Sequence, residues 1–492
     1  MPGAADVADE APEVIEAPEV IEGVGTRRLG VAAWVPHPAM TNSTSAPLAT
    51  RDNKRTALPP FSIPRAPAQD DPAQRLQSTQ SARRGVSATA RVMRAAPACR
   101  PDMAYDPVVS ESAAGRGTQR TPMIVDCDTG IDDSLALLYA IASPDCDLVA
   151  VTCTAGNVDA RQVAENTRAV LELAGRPDVE VAIGRETPLA RKLVTTPETH
   201  GPRGIGYAEL PLARMPLSPR FGPDLIVEEA RRHPGELTLV TLAPLTNVAL
   251  AVLREPELPR LLRRVVIMGG SYRSAGNTAP TTEWNVTVDP EAAEIVFEAF
   301  AGEGADLGPN GRPARPTALG LDVTERAKLL PEHMARLAAL AGCEPDGSLR
   351  GGPGASGSSG VPTVNPIVRY LADALRFYME FHSRYDHFYG AFIHDPLALA
   401  AALDPTLVRT EAVSVEVELG GRLTTGETVT DWRRVWGRPP NVDVAVEAEV
   451  DRFFERFIER VGALAAGRDP GAPPRDPRAP PRDPRAPPRD LA

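Results

Sequence analysis

Cysteine is scarce in this 492-residue chain: Cys99, Cys127, Cys146, Cys153 and Cys343, with no C-x-x-C pair among them. That excludes a disulfide scaffold and a thiolate zinc site, and points to a reducing cytoplasm. No apolar run approaches the roughly 18 residues that a membrane-spanning helix needs. The segment Met1 to Glu22 is acidic and lacks the apolar stretch of a secretory signal. A basic excess is also missing, since 53 Lys and Arg stand against 65 Asp and Glu, a net charge of -12. Neither a nucleic acid nor a membrane surface is therefore an expected partner.

What the chain has in quantity is proline, 51 residues unevenly placed. Fourteen lie in residues 1–118 and nine in residues 468–492, twice the density of the stretch between. Residues 1–118 are rich in Pro, Ser and Arg, show no helix or strand period, and carry Ala-Pro-Glu-Val-Ile-Glu twice in tandem (Ala11–Glu16, Ala17–Glu22). Residues 468–492 repeat Ala-Pro-Pro-Arg-Asp. Both compositions predict disordered tails, the second extended and polyproline-like. Residues 119–467 are then the folded domain, with the Gly/Ser-rich stretch 342–360 as a flexible insertion.

Inside that domain short apolar strands alternate with helices. Strands are predicted at Met123–Val125, Asp147–Thr152, Val179–Ile183, Leu237–Leu242 and Val265–Met268. Helices are predicted at Asp133–Ala142, Val163–Ala174, Asp224–Arg232 and Asn247–Arg254. Strands that are apolar throughout, alternating with helices, predict an α/β fold: an open, mostly parallel sheet flanked by helices. Later come helices near Pro331–Leu340 and Pro366–Tyr385, a β-hairpin joining Ser414–Leu419 to Asn441–Val446, and a last helix at Glu449–Leu464.

The chemistry gathers where the first strand ends. Asp126-Cys-Asp128-Thr-Gly130-Ile-Asp132-Asp133 places four carboxylates in eight residues. They repel one another unless a cation offsets them or water screens them. Helix capping explains one or two, not four. Gly130 is expected to allow the tight turn that gathers them, and ligands of open α/β sheets sit beyond the carboxyl ends of strands. Carboxylate oxygens suit Ca²⁺ or Mg²⁺. An EF-hand loop fails, because Gly130 is fifth and Leu137 twelfth from Asp126.

Two readings of the motif remain. The start of it is similar to the haloacid-dehalogenase phosphatases, with Asp126 as nucleophile, though their later Lys and acidic motif have no clear counterpart. The whole of it resembles the signature Asp-x-Asp-Pro-Gly-x-Asp-Asp of the inosine–uridine preferring nucleoside hydrolases, differing in Thr129 for Pro. Downstream stand Ala155-Gly-Asn157, Leu242-Ala-Pro-Leu-Thr-Asn247, Met268-Gly-Gly270, Gly276-Asn277, Glu283-Trp-Asn285 with Asp289-Pro-Glu-Ala-Ala, Leu321-Asp-Val-Thr324 and His394-Asp395-Pro. In this order they resemble that same family from about Thr121 to the last helix. Ala243 for Gly, Trp284 for Phe and an enlarged region around Gly302–Thr317 depart from it.

The resemblance implies calcium-dependent hydrolysis of ribonucleosides to free base and ribose, in nucleoside salvage or catabolism. It further implies a cytoplasmic enzyme that forms a homodimer or homotetramer. Asp128, Asp133 and Asp395 would bind Ca²⁺ through carboxylates and Leu242 through its carbonyl, with Asp128 also the general base towards water. Asp132, Asn157, Glu283 and Asn285 would hold ribose hydroxyls, Asn277 the 5′ end, and Met268 would pack on the sugar. His394 would be the acid or hydrogen-bond donor at the departing base, and His200 the histidine of a loop over the site. Tyr385, His387 and Tyr389 could meet the base or simply pack, while Cys127 and Cys153 read as small buried fillers. A non-catalytic calcium-binding scaffold is the other reading of the same fold.

Overall fold

The computed structural model describes residues 120–301, 315–343 and 365–468. The two expected tails, except Arg468, and most of the 342–360 insertion lie outside them. The strands are β1 (Thr121–Cys127), β2 (Cys146–Cys153), β3 (Glu180–Ile183), β4 (Thr238–Thr241), β5 (Arg264–Met268), β6 (Thr317–Leu319), β7 (Lys328–Leu329), β8 (Ala391–Phe392), β9 (Val408–Val413), β10 (Val415–Val417), β11 (Thr428–Thr430) and β12 (Val442–Ala448). The helices are α1 (Ile131–Ala142), α2 (Ala160–Leu173), α3 (Pro197–His200), α4 (Gly222–Arg232), α5 (Thr246–Arg254), α6 (Leu258–Leu261), α7 (Trp284–Val288), α8 (Pro290–Ala299), α9 (Leu321–Thr324), α10 (Pro331–Leu340), α11 (Pro366–Tyr385), α12 (His394–Leu403) and α13 (Val450–Ala466).

Eight strands form one sheet in the order β3-β2-β1-β4-β5-β6-β12-β9. Every neighbouring pair is parallel except the last, β12 with β9. Strand residues alternate between two apolar layers because successive side chains leave opposite faces of a strand. On β1, Met123, Val125 and Cys127 join the layer under α1, α2, α11, α12 and α13, while Ile124 joins the layer under α4, α5 and α8. With both faces covered, the strands need no polar side, which is why they read as unbroken apolar runs.

The late hairpin is corrected. β12 pairs with β9, Val442 opposite Val413, whereas Val415–Val417 turns away to pair with β11. The alternating residues of both segments were legible, but their pairing was not, because it depends on which edge of the sheet is free.

Strand order reverses between β1 and β4, which are adjacent although β2 and β3 intervene in sequence. Connections leave these two strands in opposite directions, opening a crevice beyond their carboxyl ends. Asp128 follows β1 and Leu242 follows β4, so the motif stands at the mouth of that crevice.

Candidate active site

The acidic motif divides. Asp126 is fully buried, and its Oδ1 accepts hydrogen bonds from Thr152 Oγ1 (2.5 Å) and Asn247 Nδ2 (2.8 Å). Its Oδ2 is buried without a partner, and burial pushes the carboxyl up to about 7. Asp126 therefore belongs to the layer beneath the crevice, and the phosphatase reading loses its nucleophile. Asp126 thus leaves the expected group of four, and Asp132 and Asp133 are joined by Asp395 from the start of α12.

Asp132, Asp133 and Asp395 are buried with carboxylate oxygens within 4.8 Å of one another. Two unit charges at that distance repel by roughly 3–4 kcal/mol at an effective dielectric of ~20. Burial, then mutual repulsion, raises Asp132 to about 8 and Asp395 well above the carboxylate range; burial raises Asp133 to about 6. Asp128 is raised too, by burial and then by Asp133.

Backbone geometry seats each group. Asp133 accepts the N–H of Asp128 (3.2 Å) and of Gly130 (2.9 Å), so it closes the loop that starts α1. Asn157, after β2, gives its backbone N–H to Asp128 Oδ2 (2.7 Å) and its side-chain amide to Asp133 (3.2 Å). Gly156 is needed for this approach, since a Cβ there would lie 2.1 Å from Asp128 Oδ2. Gly130 is needed for space rather than for the turn: its φ of -89° suits any residue, but a Cβ would lie 2.7 Å from His200 Nδ1. Thr129, where the family signature has Pro, bonds Thr167 Oγ1 at 2.7 Å.

The far wall comes from β4 and β5. The Asn285 side-chain amide donates to the Leu242 carbonyl (3.0 Å) and the Met268 carbonyl (3.2 Å). Glu283 caps α7 through the N–H groups of Asn285 and Val286 and also accepts that of Gly270 (2.9 Å). Asn277 lies on the exposed loop before it, its Oδ1 taken by the Trp284 N–H (3.1 Å).

Two expected histidines are buried here. His200 Nδ1 accepts the Ile131 N–H (3.1 Å), and His394 Nδ1 pairs with Thr324 Oγ1 (2.8 Å). Burial, more than any neighbour, pushes both imidazoles down to about 3. Tyr385 and His387 are solvent-exposed and Tyr389 half-buried. Sequence reasoning passed over Asn166, whose amide ties the Thr129 carbonyl (3.1 Å) to that of Arg203 (2.8 Å). It also did not single out His382, which is buried against Tyr378; the signal was an Asp four residues later, one helical turn on. Cys127 and Cys153 are buried fillers.

The donor set fits a hard divalent cation. All donors are oxygens, their mutual repulsion needs a positive charge, and Asp128 Oδ1 is buried with no partner in the protein. The acidic group stands at the switch point of a parallel sheet, where open α/β folds bind their ligands. The profile of the inosine-uridine preferring nucleoside hydrolases matches residues 123–455. The chain belongs to this family and is an enzyme acting on the N-glycosidic bond.

It is 36% identical over 345 residues to the pyrimidine-specific ribonucleoside hydrolase RihA of Enterobacter sp. (strain 638), covering 70% of this chain and 98% of the relative. It is 35% identical over 347 residues to the inosine-uridine preferring nucleoside hydrolase of Leishmania major, covering 69% and 98%. A solved purine-preferring ribonucleoside hydrolase from Gardnerella vaginalis superposes with a TM-score of 0.60 at 31% identity, over 70% of this chain and 99% of that one.

Proposed function

We propose that this chain hydrolyses ribonucleosides to free nucleobase and ribose, with Ca²⁺ held by Asp128, Asp133, Asp395 and the Leu242 carbonyl. The observation that carries this reading is the buried carboxylate group at the strand switch point, together with the partnerless Oδ1 of Asp128. Bound calcium would orient ribose hydroxyls and make water more acidic.

The chain's own residues do the rest. Asp128 takes the proton of the attacking water as general base. Departure of the base leaves positive charge on the ribose, which the surrounding carboxylates stabilise electrostatically. Asp132, Asn157, Glu283 and Asn285 engage ribose hydroxyls, Asn277 faces the 5′ end, and Met268 supports the sugar. His394 is the acid or hydrogen-bond donor at the departing base, and His200 is the histidine of a loop over the site. The cellular role is nucleoside salvage or catabolism in the cytoplasm, by a homodimer or homotetramer.

The deciding experiment is base release from a panel of ribonucleosides with and without chelator, alongside phosphate release from nucleotides. Calcium-dependent base release is the expected result. Phosphate release without base release overturns the reading.

A further inference from the structure

Asn166 and Thr167 are neighbours on α2, both buried, and both reach Thr129, the buried residue between Asp128 and Gly130. The Asn166 side-chain amide donates to the Thr129 carbonyl (3.1 Å), and Thr167 Oγ1 lies 2.7 Å from Thr129 Oγ1. Hydrogen counting fixes the direction of the second bond. Thr167 Oγ1 donates its single hydrogen to the Val163 carbonyl one turn back (2.8 Å), so Thr129 is the donor and Thr167 the acceptor. Cys127 Sγ stands 3.2 Å from Thr129 Oγ1 and Cys153 Sγ 3.4 Å from Thr167 Oγ1, which encloses the pair between the ends of β1 and β2.

The Asn166 amide is used as fully. Its nitrogen also donates to the Arg203 carbonyl (2.8 Å), and its oxygen accepts from Gln162 Nε2 (2.8 Å). The segment after His200 is thereby tied to the same turn. Gly204 passes so close that a Cβ there would lie 3.0 Å from Asn166 Nδ2.

Packing does not call for these residue types. Neither Asn nor Thr is a good helix former, and Leu and Val would fill the same buried space without polar atoms. What the pair does is remove freedom from Thr129. With its carbonyl and its hydroxyl both held, neither its peptide plane nor its side chain can rotate. That matters for the residue before it. Asp128 Oδ2 accepts the Asn157 N–H (2.7 Å) while Oδ1 is buried with no hydrogen-bond partner, so the aim of Oδ1 depends on the backbone of the turn. The signature motif has Pro at this position, whose ring fixes its own φ and restricts the residue before it. Thr129 has neither constraint, and α2 supplies one from outside.

We propose that Asn166 and Thr167 are positioning residues of the site: by locking Thr129 they aim the Asp128 carboxylate at the cation and the attacking water. This rests on the calcium-dependent nucleoside hydrolase reading and deepens it.

The test uses the full chain and measures Ca²⁺ affinity by calorimetry, kcat on inosine, and melting temperature in chelator. Thr167→Val keeps the shape and removes the acceptor. It should weaken Ca²⁺ binding and lower kcat on the order of tenfold, since a small misplacement of a reacting group can cost as much as about 10²-fold. Asn166→Leu should weaken Ca²⁺ binding by a similar factor. Thr129→Val combined with Thr167→Val leaves no hydroxyl unpaired, so its melting temperature should return to that of the wild type while affinity and kcat stay low. A purely structural role would restore all three together.

Thr129→Pro combined with Thr167→Val should restore affinity and kcat, because proline fixes φ without needing a hydroxyl partner. Among the described residues the Thr129 N–H donates to no backbone carbonyl, so proline breaks no such bond. Should the proline variant not fold, the valine pair decides alone. A valine pair that binds Ca²⁺ and turns over inosine like the wild type overturns the proposal. So does undiminished affinity in Asn166→Leu, or a folded proline double variant no better than Thr167→Val. A wild type that cleaves no ribonucleoside overturns the nucleoside hydrolase reading itself, while the Ca²⁺ affinities still decide the role of α2.

Discussion

The Asn247 side-chain amide reaches the Asp126 carboxylate at 2.8 Å, joining the start of α5 to the end of β1 across 121 positions of sequence. The same Asn247 accepts the Arg185 N–H (2.9 Å) after β3, and the Asp126 backbone carbonyl accepts the Leu242 N–H (2.8 Å). One buried pair therefore aligns three strand ends beneath the site. Asn247→Ala should cost about 1–3 kcal/mol in urea unfolding, because it leaves buried groups unpaired. Asp126→Asn keeps the acceptor oxygen and should retain both fold and base release. Loss of all turnover in Asp126→Asn would return that residue to the chemistry.

Metal dependence should follow the carboxylates. Asp133→Asn or Asp395→Asn removes charge and a donor at once, and should weaken Ca²⁺ binding by calorimetry at least tenfold while abolishing most base release. Undiminished turnover in a metal-free preparation would contradict the proposed site.

The acidic cluster also predicts a pH signature for the metal-free protein. Asp126, Asp132 and Asp133 are raised from 3.8 to about 7, 8 and 6. Groups raised on folding contribute stability that is complete below the unfolded pKa and lost as pH climbs through the folded value. Thermal stability in chelator should therefore fall between about pH 4 and pH 8. Added Ca²⁺ should flatten that fall, and a melting temperature that rises with pH in chelator would refute the argument.

Asp128 and His394 should separate by substrate. Asp128→Asn should slow inosine, uridine and nitrophenyl riboside alike, since each needs the same water. His394→Ala removes one hydrogen bond at the base and should cost inosine roughly 10–10²-fold, the equivalent of about 1.5–3 kcal/mol, with less effect on the nitrophenyl substrate. Kinetics on the three substrates checks this directly.

Removing residues 1–118 and 469–492 should leave the melting temperature and base release unchanged, because the family match spans residues 123–455. Arg468 is kept, since its guanidinium donates to the carbonyls of Leu173 (3.1 Å) and Glu172 (3.0 Å) at the end of α2. A truncated chain that aggregates would move the boundaries outward.

Local pattern determined a good deal by itself. Apolar runs of four to eight residues between helical stretches define a parallel sheet, because only strands covered on both faces are apolar throughout. The Asp-rich turn marks the site, because uncompensated carboxylates are too costly to gather without a use for them. Only the tertiary structure sorted the members. It sent Asp126 down to Asn247, gave Gly130 its role as a space for His200, and paired β12 with β9. It also set His382 beside Tyr378 and Phe392, one ring from each site histidine. The physical reason is range. Periodicity and turn chemistry act between neighbours in sequence, whereas hydrogen bonds, close approach and charge repulsion act between groups that more than a hundred residues can separate.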